Sequence, residues 1–154
     1  MYLFGYGALV NLAEIKEFEK KKRACPVMVN GLKRSLNVSG QKHCVFGVKT
    51  AKSAKCNGLL IKINEMELVK LEQREKLYTL KPLAKERIDF AYGKCFQLKP
   101  KDQIFYFAPQ ANYVLTQKQM ASCLHDQVYV RQCLAGAHAI GDDFFQDFLK
   151  TTNI

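Results

Sequence analysis

Several features that define other protein classes are scarce in this 154-residue chain. Its apolar runs are far shorter than a membrane span, and the initial MYLFGYG lacks the cationic stretch that begins a signal peptide. The four prolines are scattered, and no repeat, linker or low-complexity tract is visible. These absences predict one domain over residues 1–154, without membrane contact and located in the cytoplasm.

Histidine is also scarce, with three residues, and the six cysteines form no CxxC pair. Zinc sites need closely spaced ligands of this kind, so the sequence predicts no metal site. In a cytoplasmic protein such cysteines are typically buried free thiols, which is the state expected here. No Ser-His-Asp or Cys-His arrangement is recognisable from the spacing, so nothing supports an enzyme nucleophile.

Acidic residues are outnumbered by basic ones, 14 to 24, which gives a net charge of +10. Basic residues gather at 20–23, 49–55 and 94–101. A nucleic-acid interface needs such charge on one face with interleaved aromatic residues, whereas these runs are more typical of solvated helix ends and loops. The charge would also favour encounters with an anionic small molecule. Charge alone does not decide between these alternatives.

The hydrophobic pattern predicts strands first, with helices inserted and appended. Asn64 begins a helix that should end near Lys76, because Glu67 three residues later resembles a capping box. We therefore expect an α+β fold, with a bent mixed sheet or small β-barrel and carboxy-terminal helices. The other predicted strands are 1–6, 78–82, 88–92, 95–98, 104–107 and the strand-like stretch 26–63; the other predicted helices are 11–23 (capped by Asn11), 129–140 and 143–150, the last two separated by Gly141.

The amino-terminal stretch FGYGALVN is the first candidate site. Gly5 and Gly7 flank Tyr6 just after an apolar strand, and the absence of Cβ atoms allows a tight turn and a close ligand approach. A strand that ends in such a turn leaves backbone N–H groups pointing into open space. These donors suit a carboxylate or a developing oxyanion.

Glu75 is the second candidate. It stands at the end of the helix that Asn64 begins, where the helix dipole disfavours a negative charge, and apolar neighbours favour partial burial. Both effects raise a carboxyl pKa toward the range that a general acid and base needs. The alternative is a solvated glutamate, or one paired with Arg74 or Lys76.

Three tyrosines lie at predicted element boundaries, where a phenol can present its hydroxyl to a cleft: Tyr6, Tyr78 and Tyr129. The alternative for each is ordinary packing with the hydroxyl in water.

The order FGYGAL, LEQREKLY and VYVRQCLAGAHAIGDDFFQDFLKTT resembles the γ-glutamylcyclotransferase superfamily, most closely its short bacterial and cation-transport-regulator-like branch. The family signatures are typically YGSL, then a helix end close to LDxRE followed by a tyrosine, then a tyrosine before a helical Gly-Ala step. GLKRSLNV and CNGLLIKI also look like family strands. The likeness extends in order over nearly the whole chain.

This resemblance implies an enzyme without cofactors that acts on a small γ-glutamyl compound. The substrate's α-amino group attacks its own γ-amide carbonyl and releases 5-oxoproline. Glu75 matches the catalytic glutamate, while Tyr6, Gly7, Ala8 and Leu9 correspond to the backbone turn that binds substrate. Tyr78 and Tyr129 are implied to hydrogen-bond the glutamyl group.

Two positions depart from the family pattern: Ala8 replaces the usual serine, and Glu72 the usual aspartate. If position 8 acts through its N–H, alanine changes little; loss of a needed hydroxyl would cost about 0.5–1.5 kcal/mol. Two alternatives to the enzyme therefore stay open: a binding module for a glutamyl-like metabolite, with Ala8 marking weakened catalysis, and, less favoured, a basic nucleic-acid-binding domain. The sequence does not choose between a γ-glutamyl amino acid, glutathione and a γ-glutamylamine, and it leaves the oligomeric state open.

Overall fold

A computed structural model describes residues 1–18, 22–40 and 43–153, with no side-chain description for Asn153. Within these residues, seven strands and four α-helices are formed. The strands are β1 (Tyr2–Gly5), β2 (Ala24–Ser39), β3 (Cys44–Lys62), β4 (Tyr78–Pro82), β5 (Ile88–Asp89), β6 (Ile104–Pro109) and β7 (Thr152–Asn153); the helices are α1 (Glu65–Arg74), α2 (Gln117–Ser122), α3 (Gln127–Ile140) and α4 (Asp142–Lys150). No helix in this part of the chain is long and apolar enough to cross a membrane.

The described strands form one mixed sheet in the order β4-β6-β1-β3-β2-β5, and β7 adds to β2. The pairs β1–β6 and β2–β7 are parallel, and the other pairs are antiparallel. The expected α+β fold, with a bent sheet curled into a half-barrel and with inserted and carboxy-terminal helices, is therefore confirmed.

The curl of the sheet comes from the long hairpin of β2 and β3. Its register shifts between Asn30 and Leu32 and again between Leu36 and Val38. Such bulges bend a strand and increase its twist. Gly31 lies at the first shift with φ +81, a conformation that glycine adopts without a steric cost. The strand-like stretch 26–63 thus becomes two bent strands that wrap the core.

Alternation along the strands separates two apolar clusters. Tyr2 and Phe4 of β1 join the cluster inside the curl, where Phe144 and Phe148 of α4 insert. Leu3, between them in sequence, faces the opposite side and packs with Leu71 of α1. The helices therefore cover the sheet on both faces.

The capping box at the start of α1 is confirmed. The Asn64 side chain accepts a hydrogen bond from the Glu67 N–H at 2.8 Å, and the Glu67 carboxylate accepts one from the Asn64 N–H at 3.0 Å. The helix ends at Arg74, so Glu75 becomes its carboxy-terminal cap. The stop at Gly141 is also confirmed: its φ of +148 separates α3 from α4.

The predicted helix over 11–23 is wrong where the structure describes it; residues 19–21 lie outside the described part. Short 3₁₀ turns at Ala8–Val10 and Leu12–Glu14 replace it. Asn11 does not cap a helix, and its side chain donates instead to the Gln132 carbonyl at 3.1 Å. A Cβ on Gly136 of α3 would lie 2.7 Å from the Asn11 backbone. This close packing against α3 overrides the local helical spacing.

Two predicted strands also need correction. The strand over 88–92 shortens to Ile88–Asp89, and residues 95–98 form no strand. Cys95 is instead tied to Cys25 of β2, and Phe96 stacks on Tyr2 with ring centroids 5.0 Å apart. Tertiary contacts, not a strand ladder, hold this segment.

The expectation of six free thiols is wrong for four cysteines. Cys25 pairs with Cys95 and Cys44 with Cys123, across 70 and 79 residues of sequence. Cys56 and Cys133 are free and buried, as expected. Disulfides persist in oxidising compartments, so the cytoplasmic location stays an untested prediction.

Candidate active site

A cavity of about 260 Å³ opens beside the turn after β1. The turn forms one wall, the start of β3 forms a second, and the link between α1 and β4 forms a third. Every residue that the sequence nominated lines this cavity: Tyr6, Gly7, Ala8, Leu9, Glu75, Tyr78 and Tyr129. Three segments, around positions 6–9, 75–78 and 129 of the chain, are therefore brought to one place.

The glycine turn is as tight as its sequence indicates. A Cβ on Gly5 would lie 2.6 Å from Leu9 Cβ, and one on Gly7 would lie 2.7 Å from the Tyr129 hydroxyl oxygen. Both positions therefore exclude larger residues without movement of a neighbour. Among the described residues, no acceptor is found for the backbone N–H groups of Gly7, Ala8 or Leu9. Residues that line the cavity thus carry backbone donors with no acceptor in the described part of the protein.

Glu75 is half-buried at the opposite wall, with 18% of its side chain exposed. Burial raises its pKa above the usual 4.5; Arg74 partly lowers it, and Glu17 adds a smaller rise. Arg74 Nε lies 3.4 Å from Glu75 Oε1, so the pairing considered as an alternative is present. Because burial outweighs the cation, the pKa of the carboxyl is shifted in the direction that a general acid and base needs.

Two tyrosines hold the peptide groups of Phe46 at the start of β3. The Tyr78 hydroxyl donates to the Phe46 carbonyl at 2.6 Å, and the Tyr129 hydroxyl accepts from the Phe46 N–H at 3.2 Å. Burial is the largest cause of the raised pKa of both phenols, so both stay protonated. The Tyr78 hydroxyl proton is already donated to the Phe46 carbonyl, but the hydroxyl oxygen can still accept a hydrogen bond from a ligand.

Tyr6 differs from the other two tyrosines. It is buried, and its hydroxyl donates to the Phe107 carbonyl of β6 at 2.6 Å. Burial, followed by the nearby Tyr78 and Glu75, raises its pKa well above 10. The Tyr6 side chain therefore anchors the turn against β6, and the turn offers a ligand its backbone.

Sequence reasoning missed several wall residues. Phe46 lies far from any motif, and only the curl of the hairpin brings it to the cavity. Gln132 lies within the third quoted segment, three residues after Tyr129, but it was not singled out there. Arg74 and Lys76 flank Glu75 and place two cations in the wall. The sequence indicated these two residues as possible ion-pair partners of Glu75, but it did not indicate that they line the cavity. Among the described residues, no cluster of three or more His, Cys, Asp or Glu could hold a metal ion.

Comparison with solved structures identifies the architecture. A solved structure of a gamma-glutamyl cyclotransferase superposes with a TM-score of 0.73 at 12% identity, over 98% of this chain and 87% of that one. The chain has the γ-glutamylcyclotransferase fold. An uncharacterized protein from Homo sapiens gives a TM-score of 0.72 at 13% identity, over 97% and 86% of the two chains.

A third structure with this fold is a yeast gamma-glutamyl cyclotransferase described as specific to glutathione. It gives a TM-score of 0.58 at 12% identity and covers 98% of this chain and 96% of that one. By sequence alone, no protein-family model and no curated protein matches the chain. At 12–13% identity the comparisons show the fold alone. The substrate and the reaction must be inferred from the residues of the site.

Proposed function

We propose that this protein is a γ-glutamylcyclotransferase that needs no cofactor. Its substrate is a small γ-glutamyl compound: a γ-glutamyl amino acid, glutathione or a γ-glutamylamine. The observation that carries the proposal is the juxtaposition in one cavity of a carboxyl with a raised pKa and free backbone N–H donors. The shared fold supports it.

The reaction is an intramolecular aminolysis. The α-amino nitrogen of the substrate bonds to its own γ-carbonyl carbon, and the bond from that carbon to the amide nitrogen breaks. Because the nucleophile is tethered to the carbonyl, proximity supplies much of the rate and no enzyme nucleophile is needed. The products are 5-oxoproline and the freed amine, and no water is consumed.

Glu75 moves the proton in this scheme. As a carboxylate it accepts a proton from the α-ammonium group, and as an acid it then delivers that proton to the departing amine nitrogen. The attacking nitrogen loses its second proton on ring closure, and the released amine takes up this proton and leaves as an ammonium ion. A pKa raised by burial suits both halves of this cycle. The Arg74 cation, 3.4 Å away, keeps the ionised form accessible.

The glycine turn and the tyrosines orient the substrate. The N–H groups of Gly7, Ala8 and Leu9 bind the α-carboxylate or the oxyanion that develops on the γ-carbonyl oxygen. Tyr78 and Tyr129 face the glutamyl part from the side of Phe46. Ala8 contributes through its N–H, so the missing serine hydroxyl leaves the chemistry in place.

The test is incubation of the protein with a panel of γ-glutamyl compounds, with 5-oxoproline detected by mass. Release from at least one compound, and its loss in Glu75→Gln, supports the proposal. Stabilisation by a glutamyl ligand without product would instead identify a binding module. Binding to DNA or RNA that weakens steeply with salt would favour the basic-surface alternative.

A further inference from the structure

A buried arginine lies directly behind the cavity and plays no part in the scheme above. Arg34 of β2 has no exposed surface, and no carboxylate pairs with it among the described residues. Within the described part of the chain, its guanidinium donates to neutral oxygens: the carbonyls of Tyr6, Asn57 and Phe148, the Asn57 side-chain oxygen, and the hydroxyls of Thr151 and Thr152.

An uncompensated buried cation is costly. Removing a charge from water costs several kcal/mol even in real proteins, and apolar replacements of buried ionic groups are often neutral or stabilising. Burial accordingly lowers the Arg34 pKa. The Phe148 ring, 3.6 Å from the guanidinium carbon, and the last turn of α4 offer partial negative charge. Neither is a full counter-ion, so packing among the residues that the structure describes does not by itself explain a cation here.

The contact with the turn links this cation to the cavity. Arg34 Nη1 donates to the Tyr6 carbonyl at 3.1 Å. That carbonyl and the Gly7 N–H belong to the same peptide unit. A cation on the carbonyl oxygen polarises the amide and makes its N–H a better donor to an anion. Gly7 lines the cavity, so an anion bound there lies one peptide unit from the guanidinium.

We propose that Arg34 is a positioning residue whose charge selects an anionic group at the Tyr6–Gly7 peptide. The anion is the α-carboxylate of the γ-glutamyl substrate, which is retained in the product 5-oxoproline. The inference therefore rests on the proposed function. A purely structural arginine would supply hydrogen bonds to four segments, and its net charge would be dispensable.

The test compares two ligands of nearly the same shape, anionic 5-oxoproline and its uncharged carboxamide, by calorimetric titration. The wild type should bind the carboxylate at least about tenfold more tightly, the scale of a charge interaction across one peptide unit in a buried site. Arg34→Gln should lose this preference, and Arg34→Lys should restore part of it. Thr152→Val removes one acceptor of the guanidinium, keeps the charge, and should keep the preference.

Asn57→Asp tests the charge without removing the arginine. It places a carboxylate where the Asn57 oxygen now accepts from Arg34 Nη2 at 3.0 Å. The arginine and its reach to the Tyr6 carbonyl are kept while the net charge is cancelled. The variant also loses the bond that the Asn57 amide donates to the Phe144 carbonyl at 2.8 Å, so its fold is checked by circular dichroism before the titration. The carboxylate preference should fall about tenfold, as in Arg34→Gln, and a role limited to hydrogen bonding predicts no fall.

Three results would overturn the inference: a folded Arg34→Gln or Asn57→Asp with the wild-type preference, or a wild type that binds both ligands equally. Equal binding of both ligands by the wild type would overturn the inference even if the variants fail to fold, and the variants are what assign a preference to Arg34 rather than to Arg74 or Lys76 in the cavity wall. Because the measurement is equilibrium binding, its outcome is separate from turnover. If the wild type prefers the carboxylate, Arg34→Gln loses that preference, and no γ-glutamyl compound yields 5-oxoproline, the proposed function is refuted while the role of Arg34 in anion selection stands.

Discussion

Replacement of Glu75 by glutamine separates the catalytic role of this side chain from its structural one. Glutamine keeps the shape and can still contact Arg74, but it cannot take up a proton. General acid–base catalysis typically contributes about 100- to 10,000-fold, equivalent to about 3–5 kcal/mol of barrier at about 1.4 kcal/mol per tenfold. Turnover should fall by that range, with KM changed little because the turn and the tyrosines remain.

The same substitution should not destabilise the protein at neutral pH. Because burial raises the folded-state pKa of Glu75, the wild type loses stability as pH rises from the unfolded-state pKa through the folded one. Each pKa unit of this difference is worth about 1.4 kcal/mol, and glutamine removes that cost. The ion pair that it loses, with Arg74 30% exposed, is worth about 0–1 kcal/mol.

The assay is 5-oxoproline release over a pH series, with urea unfolding at pH 5 and pH 8. Wild-type activity should rise with pH through a pKa above the usual glutamate value, since the carboxylate form accepts the first proton. Stability at pH 8 should be equal or higher in the variant. The matched control is Glu72→Gln on the exposed face of α1. It should change neither the rate of 5-oxoproline release nor the stability to urea. Wild-type turnover by Glu75→Gln would remove this residue from the mechanism.

Three further substitutions or treatments test the surroundings of the site. Gly7→Ala puts a Cβ 2.7 Å from the Tyr129 hydroxyl oxygen and should lower turnover. Tyr129→Phe removes that oxygen, so the double variant Gly7→Ala/Tyr129→Phe should recover part of the lost turnover. Additive losses of kcat in the double variant would contradict the close contact between Gly7 and Tyr129. Ala8→Ser should lower KM by about 2- to 10-fold at unchanged kcat, one hydrogen bond's worth, and loss of turnover would show that the turn does not bind through its backbone. Titration of the denatured, unreduced protein should find two reactive thiols, and six reactive thiols would contradict both disulfides. Reduction of the Cys44–Cys123 bridge should lower the free energy of unfolding by about 4 kcal/mol.

The sequence predicted best where local chemistry decides the structure. The capping box at Asn64 and Glu67 sets the start of α1, and the positive φ of Gly141 sets the break between α3 and α4. Both depend on residues close together in the chain. The position of Glu75 at the helix end follows directly from the first of them.

Prediction failed where distant segments determine the conformation. The helical spacing of Leu12 and Ile15 is real, yet the close approach of Asn11 to Gly136 permits only 3₁₀ turns. The role of Phe46 depends on contacts with two tyrosines from other parts of the chain. Arg34 carried no signal, because a basic residue in a strand is normally solvated and only the curl of the sheet buries it.

The central claim is ring closure by the substrate's own amine, and the most direct measurement follows its atoms. The protein is incubated with a γ-glutamyl compound in water enriched in heavy oxygen, and the products are weighed by mass spectrometry. Our account predicts unlabelled 5-oxoproline in equal amount to the released amine. Free glutamate carrying the heavy oxygen would show hydrolysis instead and would contradict the account.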